Sequence, residues 1–321
     1  MSERSTEQTV DLTARLREYA EPRRTGLSRK HREWVAGYLF VLPDLIGLML
    51  FLGIPMLLAL SLGFFEVDGF GHYTWIGLDN YRAMVHDDLF IKSLRVTLTY
   101  VVLLVPGLFI TGMGLALLVK LPLPLTTIFR GMIFLPYVIS LVVVGLVWQF
   151  MLVDRLGMVN RSLVRLGFTG RSWLGEPDLA LYTVIAILIW FSMGYYMIIF
   201  LAGLQEIPRE YYEAARIDGA SAWRSFRDIT LPLLKPTSFF VLLTSLVSAV
   251  AGAQGFDLVY VMTQGGPANS TSLVIYYIYQ QAFAFSHYGY AAAMASVLVL
   301  ILITLTGVLF AVTKGGRFDF D

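Results

Sequence analysis

The sequence of 321 residues contains no cysteine, and only 15% of its residues are charged. Without cysteine the chain forms no disulfide, no thiolate metal site and no cysteine nucleophile. Its 24 Lys and Arg residues are balanced by 23 Asp and Glu residues, so the net charge of +1 predicts no nucleic acid partner. Ordinary soluble domains carry about 25% charged residues. The shortage of charge therefore argues against a water-soluble globule.

Familiar catalytic motifs are missing as well. The sequence has no HExxH, GxSxG or GxxxxGK(S/T) pattern, which are typical of zinc proteases, serine hydrolases and P-loop proteins. Its histidines all lie outside the long apolar runs, at positions 31, 72, 86 and 287. We therefore assign no catalytic residue and no metal site, and we expect a chain that is not an enzyme.

Long apolar runs are what the chain does have, with 57% hydrophobic residues and a mean hydropathy of +0.68. Each run reaches the ~20 residues that an α-helix needs to cross ~30 Å of hydrocarbon. Inside a membrane every backbone polar group must be satisfied within the chain, so such runs form helices. The sequence predicts an all-α, polytopic membrane protein with six transmembrane helices, at about 36–65, 96–119, 131–153, 179–204, 236–256 and 288–313.

The distribution of positive charge predicts how these helices are oriented. Six spans place both termini on one side, and seventeen of the 24 Lys and Arg residues fall on that side. By the positive-inside rule both termini are cytoplasmic. We expect a mostly mobile cytoplasmic tail over 1–33, a transmembrane domain over 34–314 and a cytoplasmic C-terminus over 315–321. Four arginines between 155 and 171 oppose the rule, and a short amphipathic helix on the outer face would accommodate them.

Carboxylates within the apolar runs are nearly absent. Asp44 lies near the cytoplasmic end of the first span and Asp257 near the outer end of the fifth. Coupling to protons or sodium usually needs ionisable groups deeper in the bundle. The chain therefore resembles a transport component without its own energy source, which an ATPase on another polypeptide would supply. The alternative is a self-sufficient secondary carrier of a small polar solute.

The fourth connection, 205–235, predicts two short helices separated by a turn. Pro208 suits the first turn of a helix, and Gly219 suits a left-handed stop. Ser221 can cap the second helix. Its apolar residues recur at helical spacing and predict a stripe that packs onto the bundle, formed by Trp223, Phe226 and Ile229. This connection is expected to form a surface on which another protein docks.

Its fixed positions resemble a known signature: EAA, three residues, G, nine residues, then I-x-L-P. They are Glu213, Ala214, Ala215, Gly219, Ile229, Leu231 and Pro232. The signature is that of permease subunits of binding-protein-dependent ABC importers. Residues 263–271 are similar to the T-x-GGP…ST segment of carbohydrate-uptake permeases of the maltose and glycerol-phosphate type. With 75–81 and 134–136, the likeness extends over nearly all of 36–313.

The resemblance implies a type I ABC importer permease-like bundle in a prokaryotic inner or plasma membrane, surrounded by membrane lipid. An extracytoplasmic solute-binding protein would deliver a sugar or sugar-like solute. A second permease subunit, expected to be a different chain, would complete the pathway. Two ATPase subunits would bind ATP and Mg²⁺, which this chain itself does not hold. The implied coupling residues, which would enter a cleft of the ATPase, are Glu213, Ala214, Ala215, Asp218 and Gly219.

A hydroxyl-rich solute needs hydrogen-bonding groups and aromatic faces in its pathway. Polar residues are few within the spans, and the resemblance places the sugar site on the fourth and fifth spans, among others. The candidates are Ser192, Tyr195, Ser248, Gly252, Gln254, Gly255 and Asp257. Ser248, Gly252 and Gly255 have the spacing of one helix face, with room left by the glycines. Serines and glycines also allow close packing of membrane helices, so that alternative stays open.

Overall fold

The computed structural model describes residues 29–67, 71–121, 125–154 and 156–313. Nearly all of the predicted tail, residues 1–28, and the C-terminal residues 314–321 lie outside the described residues. Within the described ranges the chain is helical apart from one short two-stranded hairpin. The predicted all-α class is therefore confirmed.

The first of two compact units ends at Leu58. Helix α1 covers Arg29–Leu48, and a π-helical turn over Met49–Gly53 joins it to α2, Ile54–Ser61, which continues into the second unit. The stretch Glu33–Phe64 is 32 residues long and apolar enough to cross a membrane.

The second unit holds all the other elements. Its hairpin consists of β1 (Phe65–Val67) and β2 (Tyr73–Trp75), which pair in antiparallel fashion. The helices are α3 (Asp79–Val85), α4 (Asp88–Lys120), α5 (Thr126–Val138), α6 (Leu141–Met151), α7 (Met158–Arg165), α8 (Pro177–Glu206), α9 (Arg209–Ile217), α10 (Ala222–Ser225), α11 (Leu231–Leu233), α12 (Lys235–Ala251), α13 (Ala253–Leu258), α14 (Val274–Tyr279) and α15 (Tyr288–Val312). π-Helical turns over Phe226–Thr230, Val259–Thr263 and Gln280–Ala284 link some of them.

By length and composition, four helical stretches could each cross a membrane: Glu33–Phe64, α4, α8 and α15. Two further candidates are bent pairs, namely α5 with α6, bent by 95°, and Ala222–Leu233 with α12, bent by 66°. The described residues thus provide four spans, or up to six if each bent pair counts as one.

Two of the predicted spans are interrupted. The run 131–153 contains the end of α5 and the whole of α6, and the run 236–256 breaks between α12 and α13. At the breaks Ile139 and Gly252 adopt nearly the same extended backbone, each with ψ of 148°. Pro136 contributes to the first break because a proline inside a helix removes a hydrogen-bond donor and crowds the preceding turn.

The core of the second unit lies mainly between α4 and α8. Both helices bury large apolar side chains, among them Tyr100 and Leu104 on α4 and Leu188 and Phe200 on α8. The helices approach closely at Gly112, where an added Cβ would press on Tyr196. Small residues allow such approaches in membrane bundles, where van der Waals packing drives association.

Candidate functional site

The connection between α8 and α12 forms the two predicted helical pieces. Pro208 is the N-cap of α9, and Gly219 ends the helix with a φ of +74°. The amide of Ala220 donates to the carbonyl of Ala215 at 2.8 Å, and the amide of Gly219 donates to that of Arg216 at 3.1 Å. This pair of bonds is the Schellman closure, which requires a left-handed residue and so favours glycine.

Most of the signature residues on α9 are open to solvent. Glu213, Ala214 and Asp218 are exposed, and Ala215 is half-buried. Two large apolar side chains stand out beside them, because Ile217 is 87% exposed and Trp223 is 70% exposed. We call the exposed side chains at 213, 214, 217, 218 and 223 the coupling surface.

The predicted stripe of three apolar residues is wrong in one member. Phe226 and Ile229 pack against the core, but Trp223 is largely exposed. The physical reason is the π-helical turn at Phe226–Thr230, which widens the helix after α10 and shifts the register of its faces. Within the described residues, the aromatic ring that pairs with Trp223 is that of its neighbour Phe226, at 5.6 Å between centroids.

Tyr212 anchors α9 to the rest of the protein. Its hydroxyl shares a hydrogen bond of 3.0 Å with Thr230, which is buried. The Nζ atom of Lys120, at the end of α4, lies 4.7 Å from the centre of the Tyr212 ring, a cation–π distance. The sequence does not reveal this role of Tyr212, because Thr230 and Lys120 do not lie at a helical spacing from it along the chain.

Candidate pathway residues meet near the two helix breaks. Tyr195 on α8 stacks on Tyr137 of α5, with 4.8 Å between ring centroids. The side chain of Gln254, on α13, interacts with the Tyr137 hydroxyl. Ser192 is only 2% exposed and lies inside the bundle. The structure thus brings Tyr195 and Gln254 together through Tyr137, which sequence reasoning missed.

The other pathway candidates are arranged differently from the expected helix face. The break at Gly252 separates Ser248 from Gly255, so the three do not share one continuous helix. Gly255 is buried, and an added Cβ there would press on the Tyr100 hydroxyl. Ser248 and Asp257 are half-buried. Gly255 therefore serves close packing in this structure.

The segment 263–271, which follows α13, is held together by its own hydrogen bonds. The hydroxyls of Thr263 and Thr271 lie 2.7 Å apart, and that of Thr271 donates to the carbonyl of Gly266 at 2.8 Å. Nearby, the Thr97 hydroxyl on α4 accepts from the amide of Val274 at 2.9 Å. These bonds fix the loop against the start of α4.

At the same end of the bundle, Asp87 joins three helices. One carboxylate oxygen caps α4 by accepting from the amide of Leu89 at 2.8 Å, and the other accepts from the hydroxyls of Tyr277 and Tyr290, each at 2.7 Å. Burial alone would raise the pKa of Asp87, but these hydrogen bonds and one from the Phe90 amide outweigh it and hold the pKa below its usual value. Burial, and then the bond to Asp87, raise the pKa of Tyr277 to about 12.

The arginine-rich connection contains the expected short amphipathic helix, α7. Asn160, 2% exposed, holds it in place. Its Nδ2 atom donates to the carbonyls of Asp154 and Arg171 at 2.6 and 2.8 Å, and its Oδ1 atom accepts from the Arg171 amide at 3.2 Å and from Trp173 Nε1 at 2.9 Å. Arg171 also pairs with Glu176 at 2.9 Å, and that hydrogen bond is the main reason for a pKa of Glu176 below the usual range.

No group of three or more His, Asp or Glu side chains in the described ranges could hold a metal ion. Residues 108–314 match the family described as the binding-protein-dependent transport system inner membrane component. The match covers more than half of the chain and contains the whole of α9 and both helix breaks. The chain belongs to this family.

Relatives of this permease align with it over most of their length. The lactose transport system permease protein LacF of Rhizobium radiobacter is 37% identical over 257 residues, which are 78% of this chain and 84% of LacF. The sulfoquinovosyl glycerol transport system permease protein SmoG of Agrobacterium fabrum is 38% identical over 211 residues, 66% of this chain and 68% of SmoG.

A solved structure has the same fold. It is a chain of a bacterial alginate ABC transporter in complex with a periplasmic protein that holds an alginate pentasaccharide. The TM-score is 0.77 at 25% identity, and the alignment covers 88% of this permease and 95% of that chain. The predicted identity is thus confirmed: the chain is an inner-membrane permease subunit of an ABC importer that works with a binding protein. The alternative of a self-sufficient carrier is set aside.

Proposed function

We propose that this permease forms one half of the pathway for a sugar or sugar-like solute, which an extracytoplasmic binding protein delivers. Two relatives support this class of solute, because LacF belongs to a lactose system and SmoG to a sulfoquinovosyl glycerol system. The alginate transporter, which carries an oligosaccharide on its periplasmic protein, supports the role of the binding protein.

The observation that carries the proposal is the meeting of aromatic and amide groups at two helix breaks. Non-helical backbone is tolerated at membrane depth only where protein covers it or where it lines a water-filled cavity. At these breaks Ser140, Ala251 and Ala253 are exposed on the described chain. A second permease subunit, a different chain in this proposal, would supply the opposite wall, and Tyr137, Tyr195 and Gln254 would face the solute between them.

The pathway proposal is tested by uptake kinetics in vesicles that contain the complete transporter. Gln254→Leu removes the amide beside Tyr137. We expect the maximal uptake rate to fall about tenfold, since one lost hydrogen bond to a polar substrate costs roughly 1–2 kcal/mol. The concentration of solute-loaded binding protein that gives half-maximal uptake should change little. Ser248→Leu tests the neighbouring position. Thr304→Val, whose hydroxyl bonds to its own helix, is the control. Unchanged uptake in both pathway variants would refute the contact.

We further propose that 205–235 is the cytoplasmic loop that couples the permease to an ATPase dimer, which binds ATP and Mg²⁺. Both termini lie on the same side in this proposal, in agreement with the seventeen Lys and Arg residues there. The coupling surface supports it, because exposed Ile217 and Trp223 are apolar groups that a partner can bury. Glu213 would meet a basic residue of the ATPase, and Ala214 would let the surfaces approach closely.

A bulky substitution tests whether α9 is covered in the transporter. Because Ala214 is exposed, Ala214→Trp should leave the permease folded but block close approach of another surface. We expect loss of the ATPase during affinity purification of the complex. Ser162→Trp, at an exposed position of α7, is the matched control and should retain the ATPase. Equal retention in both variants would overturn the assignment of α9.

A further inference from the structure

A cavity of about 270 Å³ lies where the coupling loop meets the bundle. The polar side chains that line it come from four helices: Lys120 from the end of α4, Arg130 from α5, Gln205 from the end of α8, and Arg209 and Tyr212 from α9. Four helices therefore meet around one small space. Three of these five side chains are cations, and none of the residues that line the cavity is a carboxylate.

These cations have only neutral partners in the described ranges. Lys120 Nζ donates to the carbonyl of Leu204 at 3.3 Å, and Arg130 Nη2 donates to that of Val119 at 3.2 Å. The Nε atom of Arg130 is buried and has no hydrogen-bond partner among the described residues. Such an unsatisfied charged donor is costly, and like charges around one cavity repel each other. An anion in the cavity would relieve both costs.

The position of the cavity indicates which anion fits. Lys120 is the last residue of α4, which is long and apolar enough to cross a membrane, and Arg130 lies in the first half of α5, one part of a bent candidate span. Lipid headgroups lie where such spans end. Beside the two cations, α5 exposes large apolar side chains, with Ile128 56%, Phe129 52% and Met132 64% exposed. A cationic cavity next to an apolar helix face suits a molecule with an anionic head and an apolar tail. Basic pockets between membrane helices on the cytoplasmic side bind anionic headgroups in this way.

We propose that this cavity binds the phosphate of an anionic phospholipid from the leaflet next to the coupling loop, with its acyl chains along α5. The side of the membrane rests on the proposed function. A phosphate held by Lys120, Arg130 and Arg209 would tie the end of α4 and the first half of α5 to the first residue of α9. The lipid would thus stiffen the base of the coupling loop and make coupling sensitive to membrane charge.

Lipid binding is tested on the purified full-length chain by native mass spectrometry. Phosphatidylglycerol and phosphatidylcholine with identical acyl chains are titrated in parallel, because only the first carries net negative charge. We expect the wild type to prefer phosphatidylglycerol. Arg130→Gln and Arg209→Gln should each reduce that preference about fivefold, the effect of one cation near a membrane surface. Arg209 is exposed, so its replacement does not endanger folding.

Two controls keep the outcome decisive. Arg130→Lys retains the charge and should retain the preference, and Arg82→Gln removes an exposed arginine that pairs with Asp79, far from the cavity in sequence, and should change nothing. An unchanged preference in both Arg130→Gln and Arg209→Gln would overturn the proposal. So would displacement of the lipid by an equal concentration of inorganic phosphate, because the site would then be one for free phosphate. Retention of the ATPase by Ala214→Trp would instead refute the coupling role and leave the lipid preference intact.

Discussion

Helices α7 and α9 are built on the same local plan. They have eight and nine residues, and each is followed by a left-handed glycine, Gly167 with φ of +87° and Gly219 with φ of +74°. After α7 the amide of Phe168 donates to the carbonyl of Leu163 at 2.9 Å, as that of Ala220 does to Ala215 after α9. The two sequences thus specify short amphipathic helices with the same stop.

What holds the two helices in place is different. Four hydrogen bonds converge on buried Asn160; one joins α7 to Asp154 before the helix, and three join it to Arg171 and Trp173 after the helix. Helix α9 has no buried residue, and its anchor is the Tyr212 side chain, which shares a hydroxyl bond with Thr230 and lies under the Lys120 ammonium. The comparison teaches that α7 is fixed by its own hydrogen bonds, whereas α9 has fewer internal contacts and leaves its apolar surface exposed, as expected of the docking surface that we propose.

Proline at the two glycine stops gives the largest expected effect. Proline has a fixed negative φ, so Gly167→Pro and Gly219→Pro should each cost about 3 kcal/mol locally and unravel the end of the preceding helix. Only Gly219→Pro should abolish ATP-driven uptake, because α9 is the helix that we propose meets the ATPase. Limited proteolysis measures the unravelling, and uptake in vesicles measures the loss of transport. Equal loss of ATPase binding in both variants would contradict the proposed difference between α7 and α9.

Removal of the Asn160 network should have the next largest effect. Asn160→Leu leaves the Trp173 indole and backbone groups unpaired, and we expect a loss of about 2 kcal/mol in the free energy of unfolding. Trp173 fluorescence should shift as the loop opens. Ser162→Ala, on the exposed face of α7, is the control. A normal unfolding temperature in Asn160→Leu would show that the network does not hold α7.

Asp87 adds a pH dependence at the start of α4. The pKa of Asp87 is lower in the folded protein than in the unfolded chain, where it is about 4. The carboxylate therefore stabilises the fold fully above about pH 4, and this stabilisation is lost as the pH falls through the folded-state pKa. Asp87→Asn keeps a side chain that can cap α4 but removes the charged acceptor of the Tyr277 and Tyr290 hydroxyls, so it should cost about 1 kcal/mol at pH 7 and should flatten the acid limb of stability. Thermal unfolding between pH 7 and pH 3 checks this, and an identical acid limb in wild type and variant would contradict it.

The smallest effect on stability is expected at Trp223. Since its side chain is 70% exposed, Trp223→Ser should leave the unfolding temperature of the isolated permease within the error of measurement. It should weaken ATPase binding about tenfold, because a tryptophan buried at an interface contributes strongly. Phe226→Ser, at a residue packed on the core, should do the reverse and lower stability. A marked loss of stability in Trp223→Ser would show that the residue belongs to the fold.

The features of this permease that the sequence predicts correctly are those with a local pattern. Apolar runs indicated the long helices, and the EAA signature with Gly219 located α9 and its stop. The breaks at Ile139 and Gly252 were not visible, because apolar composition continues through them. Nor were the bonds from Asp87 to Tyr277 and Tyr290, since contacts that join residues about 200 positions apart leave no local signal.

The central claim is that α9, and not α7, couples the permease to the ATPase. The most direct test is the same charge reversal made at α9 and beside α7. Glu213→Arg changes the exposed carboxylate of α9, and Glu176→Arg changes the carboxylate that pairs with Arg171 beside α7, where a partly exposed ion pair contributes about 0–1 kcal/mol. The measurement is solute imported per ATP hydrolysed by the complete transporter in vesicles. We predict a collapse of this ratio, or loss of the ATPase, for Glu213→Arg alone. Equal ratios in both variants and the wild type would contradict the account.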